Sequence, residues 1–209
     1  MGSRRDLLTG SPIDAPARGE RADAARNRAK VLAAAAQLFA ERDARTVTME
    51  DIATAAGVGR ATLYRRYPDP ASVARALLDE HERALQEQLI SGPPPLGPGA
   101  HPADRLAAFY AAMVELLERH LPLVLGAEVG PARFATGAYG FWRAHVRGLL
   151  VESGAPEVDA LVDVLLAPLA PEVYAFQRRQ RNTPEQIAVA LRALAHRVIP
   201  SDAAPQFHR

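Results

Sequence analysis

The stretch Thr48–Tyr67, TMEDIATAAGVGRATLYRRY, decides how this 209-residue chain is read. Thr48 followed by Asp51 has the form of a capping box: the hydroxyl accepts a free amide of the first turn, and the acid favours the positive helix end. Ile52, Ala53 and Ala56 supply a small apolar face, and Gly57 the left-handed or closely approached backbone that ends the helix. A second short helix restarts over Gly59, Arg60, Ala61 and Thr62. In it Leu63 and Tyr67 fall four apart on the inward side, which leaves Arg60, Thr62, Arg65 and Arg66 facing outward. Two short helices about a glycine turn, the second with arginines suited to guanine edges or phosphates, predict a DNA-reading helix-turn-helix. Gly57 and Gly59 do not make a dinucleotide loop, because they follow a helix signal and lack the third glycine and the later acid.

As it stands at Thr48 to Tyr67, the pattern T-x-x-x-I-A-x-x-A-G-V-x-x-x-T-L-Y-x-x-Y resembles the tetracycline-repressor (TetR) family of bacterial transcription regulators. The resemblance implies an all-α protein in which an N-terminal three-helix helix-turn-helix DNA-binding domain precedes a helical ligand-binding and dimerisation domain. It further implies a homodimeric repressor that binds a palindromic double-stranded operator and answers to a small-molecule effector. The DNA-contacting residues expected from the motif are Thr48, Arg60, Ala61, Thr62, Tyr64, Arg65 and Arg66. Three positions depart from the family pattern. The usual Ser or Thr cap of the second helix is Gly59, the common glycine before Thr-Leu-Tyr is Ala61, and the position three after Tyr67, often basic, is Pro70, which can make no charged phosphate contact.

Charge and composition agree with that division. The net charge is +1, but residues 18–67 hold ten basic against six acidic side chains, whereas residues 68–209 hold thirteen against sixteen. A basic N-terminal third on a slightly acidic remainder is the footprint of a nucleic-acid domain joined to one with another task. The absence of cysteine excludes disulfides, thiol nucleophiles and thiolate metal sites. No apolar run is long enough to span a membrane. Arg4-Arg5 opens like a twin-arginine export signal, but Thr9, Gly10, Ser11, Pro12 and Asp14 stand where an apolar stretch is required, so a cytoplasmic protein is expected.

Along the chain, residues 1–20 lack periodicity and read as a disordered arm, ahead of a DNA-binding domain over 21–68. The first helix, with Val31, Ala35, Leu38 and Phe39 inward, is expected from about Asp23 to Arg42. Pro68-Asp69-Pro70 then gives a turn, an N-cap and a first-turn proline, opening the C-terminal domain (69–200) with a connecting helix that turns Val73, Leu77, His81, Ala84 and Leu85 inward. Residues 91–102, with five prolines and three glycines, must be a loop: either the joint between the halves or a flexible insertion. Further helices are expected over Ala103–His120, ended by Pro122, over Ala132–Glu152 with Phe134, and from Val158 to Leu169 with interruptions at Pro168 and Pro171. Thr183-Pro184-Glu185 opens the last helix, Pro200 stops it, and 201–209 is a tail.

Two amphipathic helices at the C-terminus carry more apolar surface than a small bundle covers, and in the resembled family the last two helices pair in a four-helix dimer interface. Leu161, Leu165, Leu169, Leu191, Leu194 and Val198 are the interface residues this implies. The effector is expected to be largely apolar or aromatic, held among Phe109, Tyr110, Met113, Phe141, Trp142 and His145, which bring most of this half's aromatic surface onto two helices. No cofactor and no metal site is expected. A competing reading, a small helical enzyme or metal protein, would have to use His120, His145, His196, Glu115 and Glu118, which are scattered singly; Glu118 and His120 do not share a helix face. A third, a regulator-like module without DNA binding, would rest on Gly59 and Pro70.

Overall fold

The computed structural model describes residues 18–42, 46–127 and 137–199, and among them it holds nine α-helices and no strand. These are α1 (Arg18–Glu41), α2 (Met49–Ala56), α3 (Arg60–Arg66), α4 (Pro70–Ser91), α5 (Pro102–Ala127), α6 (Gly137–Glu152), α7 (Val158–Leu166), α8 (Pro171–Arg179) and α9 (Pro184–Val198). The chain forms two compact units that divide within α4, between Val73 and Ala74. The expected arm (but for its last three residues), the helix start at Ala132 with Phe134, the stop at Pro200 and the tail 201–209 lie outside the described residues.

In the first unit α1 packs on α2 and α2 on α3. Its core is aliphatic and compact: Val31, Leu32, Ala35 and Leu38 of α1 are buried with Val47, Met49, Ile52, Ala53, Ala56, Leu63 and Tyr67. Phe39, expected inward, is half-buried. The capping box at Thr48 is complete: the Asp51 amide donates to Thr48 Oγ1 at 3.1 Å, and the Thr48 amide donates back to Asp51 Oδ2 at 3.0 Å. Gly57, at φ 63°, gives its amide to the Ala53 and Thr54 carbonyls, and a side chain there would have to adopt a left-handed backbone at a cost of about 1 kcal/mol. Asp69 caps α4 through Oδ1, which accepts the Ser72 amide at 2.7 Å. The first helix starts at Arg18 rather than near Asp23. The one weak former in that added turn is Gly19, worth about 1 kcal/mol and too little to stop propagation.

In the second unit α5 lies along α9 and also touches α6 and α8, while α6 packs on α7. The α5 stripe Leu106, Phe109, Tyr110, Met113, Val114 and Leu117 is buried against Trp142, Val146, Leu149 and Leu150 of α6, Val162 and Leu165 of α7, Tyr174 of α8, and Ile187, Leu191 and Ala195 of α9. Pro122 does not end α5, which continues to Ala127. A proline deletes a single amide donor, at roughly 3 kcal/mol, and the long buried stripe before it holds the helix through that loss. Pro168 and Pro171 do interrupt the chain after α7: a 3-10 turn spans Ala167–Leu169, and α8 restarts with Pro171 in its first turn. Thr183 and Gln186 make a second complete capping box, with Pro184 at the start of α9.

Two further expectations change. The proline-rich loop is not the joint between units, since it lies wholly within the second. Nor is it a loose insertion: the Gly97 amide donates to Pro93 O at 3.0 Å, Leu96 packs on the core, and a Cβ on Gly97 would stand 1.9 Å from the Gly92 carbonyl oxygen. Ala84 of α4 is exposed, and the buried row there is Leu77, Leu78, Leu85 and Leu89. Of the six residues expected at a dimer interface, Leu165, Leu169 and Leu191 are buried inside the protomer's own core, and only Leu161, Leu194 and Val198 keep part of their surface. Periodicity identifies an apolar stripe but not which neighbour covers it.

Candidate nucleic-acid interface and ligand cavity

α3 is seven residues long and buries one of them, Leu63, which with the following Tyr67 pins the helix to its unit. Arg60, Ala61, Thr62, Tyr64, Arg65 and Arg66 are all exposed, Tyr64 at 53% although it is a large aromatic. An exposed aromatic between arginines makes no contribution to a core and is well placed to reach a phosphate or base. Arg60 is ion-paired with Glu50 of α2, so its guanidinium is held across the turn of the motif. The Arg66 guanidinium lies 5.9 Å from the centre of the Tyr67 ring. Gly59 leaves the start of α3 without a side-chain cap.

Between α1 and α3 runs an open cleft of about 680 Å³ lined by Asp23, Asn27 and Arg28 on one side and Thr62, Arg65 and Arg66 on the other. Asn27 and Arg28 therefore flank the same surface as the exposed face of α3. Thr48 is placed differently from the rest of the expected set. Its hydroxyl and its amide both donate to Asp51 Oδ2, at 2.7 and 3.0 Å, so its polar groups are committed to the cap. Those bonds, chiefly the hydroxyl's, hold the Asp51 carboxyl below the usual carboxylate range, with Arg42 3.7 Å away adding to the effect.

The six aromatic and polar residues expected around an effector do come together in the second unit, mostly as packing. Phe109 lies 5.9 Å from Trp142 and 5.4 Å from His145 between ring centres, and Phe141 meets Trp142 edge-on at 5.4 Å. Tyr110 is fully buried and donates its hydroxyl to the Leu165 carbonyl at 2.9 Å, and burial pushes that hydroxyl's pKa far up. Burial, helped by Arg105, holds His145 down at about 4. Met113 and Trp142 line a narrow cavity of about 50 Å³ whose other walls include Leu78, Glu82, Leu116, Tyr139, Leu166 and Leu169. Glu82 and Tyr139 are not among the residues the sequence placed at the effector site, yet each left a signal. Glu82 stands four residues after Leu78 on an apolar row, and Tyr139 three before Trp142.

Of the residues of the enzyme reading, Glu115, Glu118 and His120 are spent on separate partners, whereas His145 Nε2 is buried without one. Glu118 accepts from Tyr174 OH at 2.6 Å and from Arg178 Nε and Nη2 at 2.9 Å, Glu115 pairs with Arg119, and His120 meets His81. Among the described residues no three His, Cys, Asp or Glu side chains are grouped to hold a metal, and no helix is long and apolar enough to cross a membrane.

Residues 31–77 match the family model described as bacterial regulatory proteins, tetR family. An uncharacterised HTH-type transcriptional regulator of Mycobacterium bovis is 37% identical over 60 residues, 29% of this chain and 32% of its own length, and one of Mycobacterium tuberculosis is 34% identical over 77 residues, 37% of each. The match thus spans about a third of the length of these curated relatives. Over most of the chain the fold is similar to a TetR-family regulator from Rhodococcus sp. (17% identity, 84% of this chain and 99% of that one, TM-score 0.60). It is also similar to the regulator FadR of Bacillus subtilis in complex with stearoyl-CoA (14% identity, 82% and 97%, TM-score 0.58). Residues 31–77 thus carry a region that matches the DNA-binding part of the tetR family, and over most of the chain the fold is similar to that of TetR-family regulators.

Proposed function

We propose that this protein is a repressor that binds a palindromic operator as a homodimer and is released by a small, largely apolar effector. The observation that carries the reading is α3, a helix that buries Leu63 and turns Arg60, Ala61, Thr62, Tyr64, Arg65 and Arg66 to solvent. One such helix reads too few base pairs for useful specificity, so two copies and a two-fold site are the economical solution. Thr48 supports this surface through its cap rather than by touching DNA.

The dimer surface is assigned to the exposed apolar residues Val173 and Phe176 of α8 and Val189 of α9, together with the exposed edges of Leu161, Leu194 and Val198. Phe176 and Val189 are each more than half exposed, a cost in water that a second copy would remove. The effector site is assigned to the cavity between Met113, Trp142 and Tyr139. Its walls are almost wholly apolar, and a fold of this kind accommodates stearoyl-CoA in the Bacillus subtilis protein. At about 50 Å³ the cavity must widen to admit an effector, since drug-sized ligands occupy several hundred Å³.

Selection of bound duplexes from a randomised library, with light scattering of the free protein, tests the whole reading. A two-fold symmetric site and a dimeric mass are expected; an asymmetric site, or a monomer that binds with full affinity, sinks it. Within a selected site, Arg65→Ala should cost about 1–3 kcal/mol and relax preference at one position per half-site if the guanidinium reads a guanine. A phosphate role would instead weaken all sequences alike and flatten the salt dependence.

A further inference from the structure

The rings of His81 on α4 and His120 on α5 are spent on each other. His81 Nδ1 lies 2.6 Å from His120 Nε2 and the ring centres are 4.8 Å apart, a contact made across 39 residues of sequence. Apart from the buried tyrosines and tryptophan, His120 is the one polar side chain buried among the described residues, with 2% of its surface exposed, and His81 is half-buried. At that separation one nitrogen must donate a proton and the other accept it, so the pair works only while the gap holds a single hydrogen. A first added proton can sit on an outer nitrogen and leave the bond intact. A second places two N–H groups nose to nose, with nothing between them to accept.

The surroundings oppose even the first. Arg119 on α5 faces both rings and is itself tied to Glu115 at 2.6 Å, while Glu80 on α4, ion-paired with Arg83 at 3.0 Å, is the acid that acts on His81. Burial and Arg119 hold both imidazoles below their ordinary range, His120 at about 4. The same positive field, with no third ligand grouped beside the rings among the described residues, argues against a metal ion and for a proton as the species to which this contact responds.

We propose that the His81–His120 contact is an acid-released latch between α4 and α5, closed while the rings share one hydrogen and opened when both become charged. α4 is the helix whose first turn belongs to the DNA-binding unit and whose remainder belongs to the second unit, so its release from α5 acts on the segment the two have in common. In the open form each ring returns to an ordinary midpoint near 6.5, whereas the closed pair stays nearly uncharged. Opening therefore grows on the order of 10- to 100-fold between pH 7.5 and 5.5.

Hydrogen exchange of the full chain at the two pH values, expressed as protection factors for α4 amides from Leu77 to Leu89, reads this directly. The native protein should lose about 10- to 100-fold protection at pH 5.5, and the double variant His81→Leu/His120→Leu should lose none. Equal protection of the native chain at both pH values, or an equal loss in the variant, overturns the latch. Should the variant not fold, nitrogen-15 spectra of the native imidazoles decide: one shared hydrogen persisting well below pH 6.5 is expected, and two rings titrating independently near 6.5 overturn the proposal.

Discussion

The two units solve opposite problems with the same secondary structure. The first is small, and a small domain buries too little surface to spend side chains freely. It packs a few aliphatic residues, ends its helices with Thr48, Gly57 and Asp69, and leaves six of the seven residues of α3 outside. Its one fully buried aromatic, Tyr67, keeps a hydroxyl with no partner. The second unit buries Phe109, Tyr110, Trp142 and Tyr174 and takes polar groups inside with them, satisfying Tyr110 at Leu165, Tyr174 at Glu118 and His120 at His81 while leaving Arg105 Nε, His145 Nε2 and Gln177 Oε1 without partners. The contrast teaches that the exposed face of α3 is held up by helix caps made by adjacent residues, whereas the second unit is specified by buried polar contacts between distant ones, each of which can be broken.

The largest expected effect probes the second unit's core. Leu165→Glu, at 1% exposure, should cost roughly 4 kcal/mol or more and leave no folded species in urea titrations, because an unpaired charge would replace a packed leucine. Val164→Glu, one residue away at 63% exposure, should stay within about 0.5 kcal/mol of the native protein. Similar losses at both positions would mean that α7 is not seated on one face.

Acid should separate the units next. Residues 1–73 contain no histidine, while the second unit holds His120 and His145 at about 4. A histidine depressed in the folded state is stable above its unfolded midpoint near 6.5 and loses that stability as pH falls toward 4; for buried His120 the loss is roughly 3 kcal/mol. The first unit's sensitive group is Asp51, also depressed, so its cap weakens only as pH falls below 3.8. Thermal melts between pH 7 and 4 that show the DNA-binding unit failing first would contradict this order.

One substitution made in both units should then give opposite signs. Tyr110→Phe strips the Leu165 carbonyl of its buried donor and should cost about 1–3 kcal/mol, whereas Tyr67→Phe removes an orphaned hydroxyl and should be neutral or slightly stabilising. Denaturant midpoints decide it, and a costly Tyr67→Phe would show that its hydroxyl has a partner in solution. The smallest effect is local: Thr48→Ala should cost about 1 kcal/mol in stability, and weaken every DNA sequence equally if it weakens any.

Much of this was legible in advance because the signals are short-range. The Thr48–Asp51 box, the turn at Gly57, the Asp69 cap, the Thr183 start and the breaks at Pro168 and Pro171 each depend on a handful of adjacent residues, and each stands where the sequence put it. The exposed face of α3 followed from the same logic, since a seven-residue helix with one anchoring leucine has little else to bury. What only the tertiary structure decided depends on residues far apart in the chain. Leu165 and Leu191 belong to the protomer's core because α5 lies along α9 and covers them, a choice that a 3.6-residue repeat leaves open. Tyr110 gives its hydroxyl to a carbonyl 55 residues away, and His81 finds His120 across 39. Helical periodicity assigns a face to each residue, but a buried donor must be paired with whatever acceptor the packing brings beside it, and that pairing exists only once the helices have met.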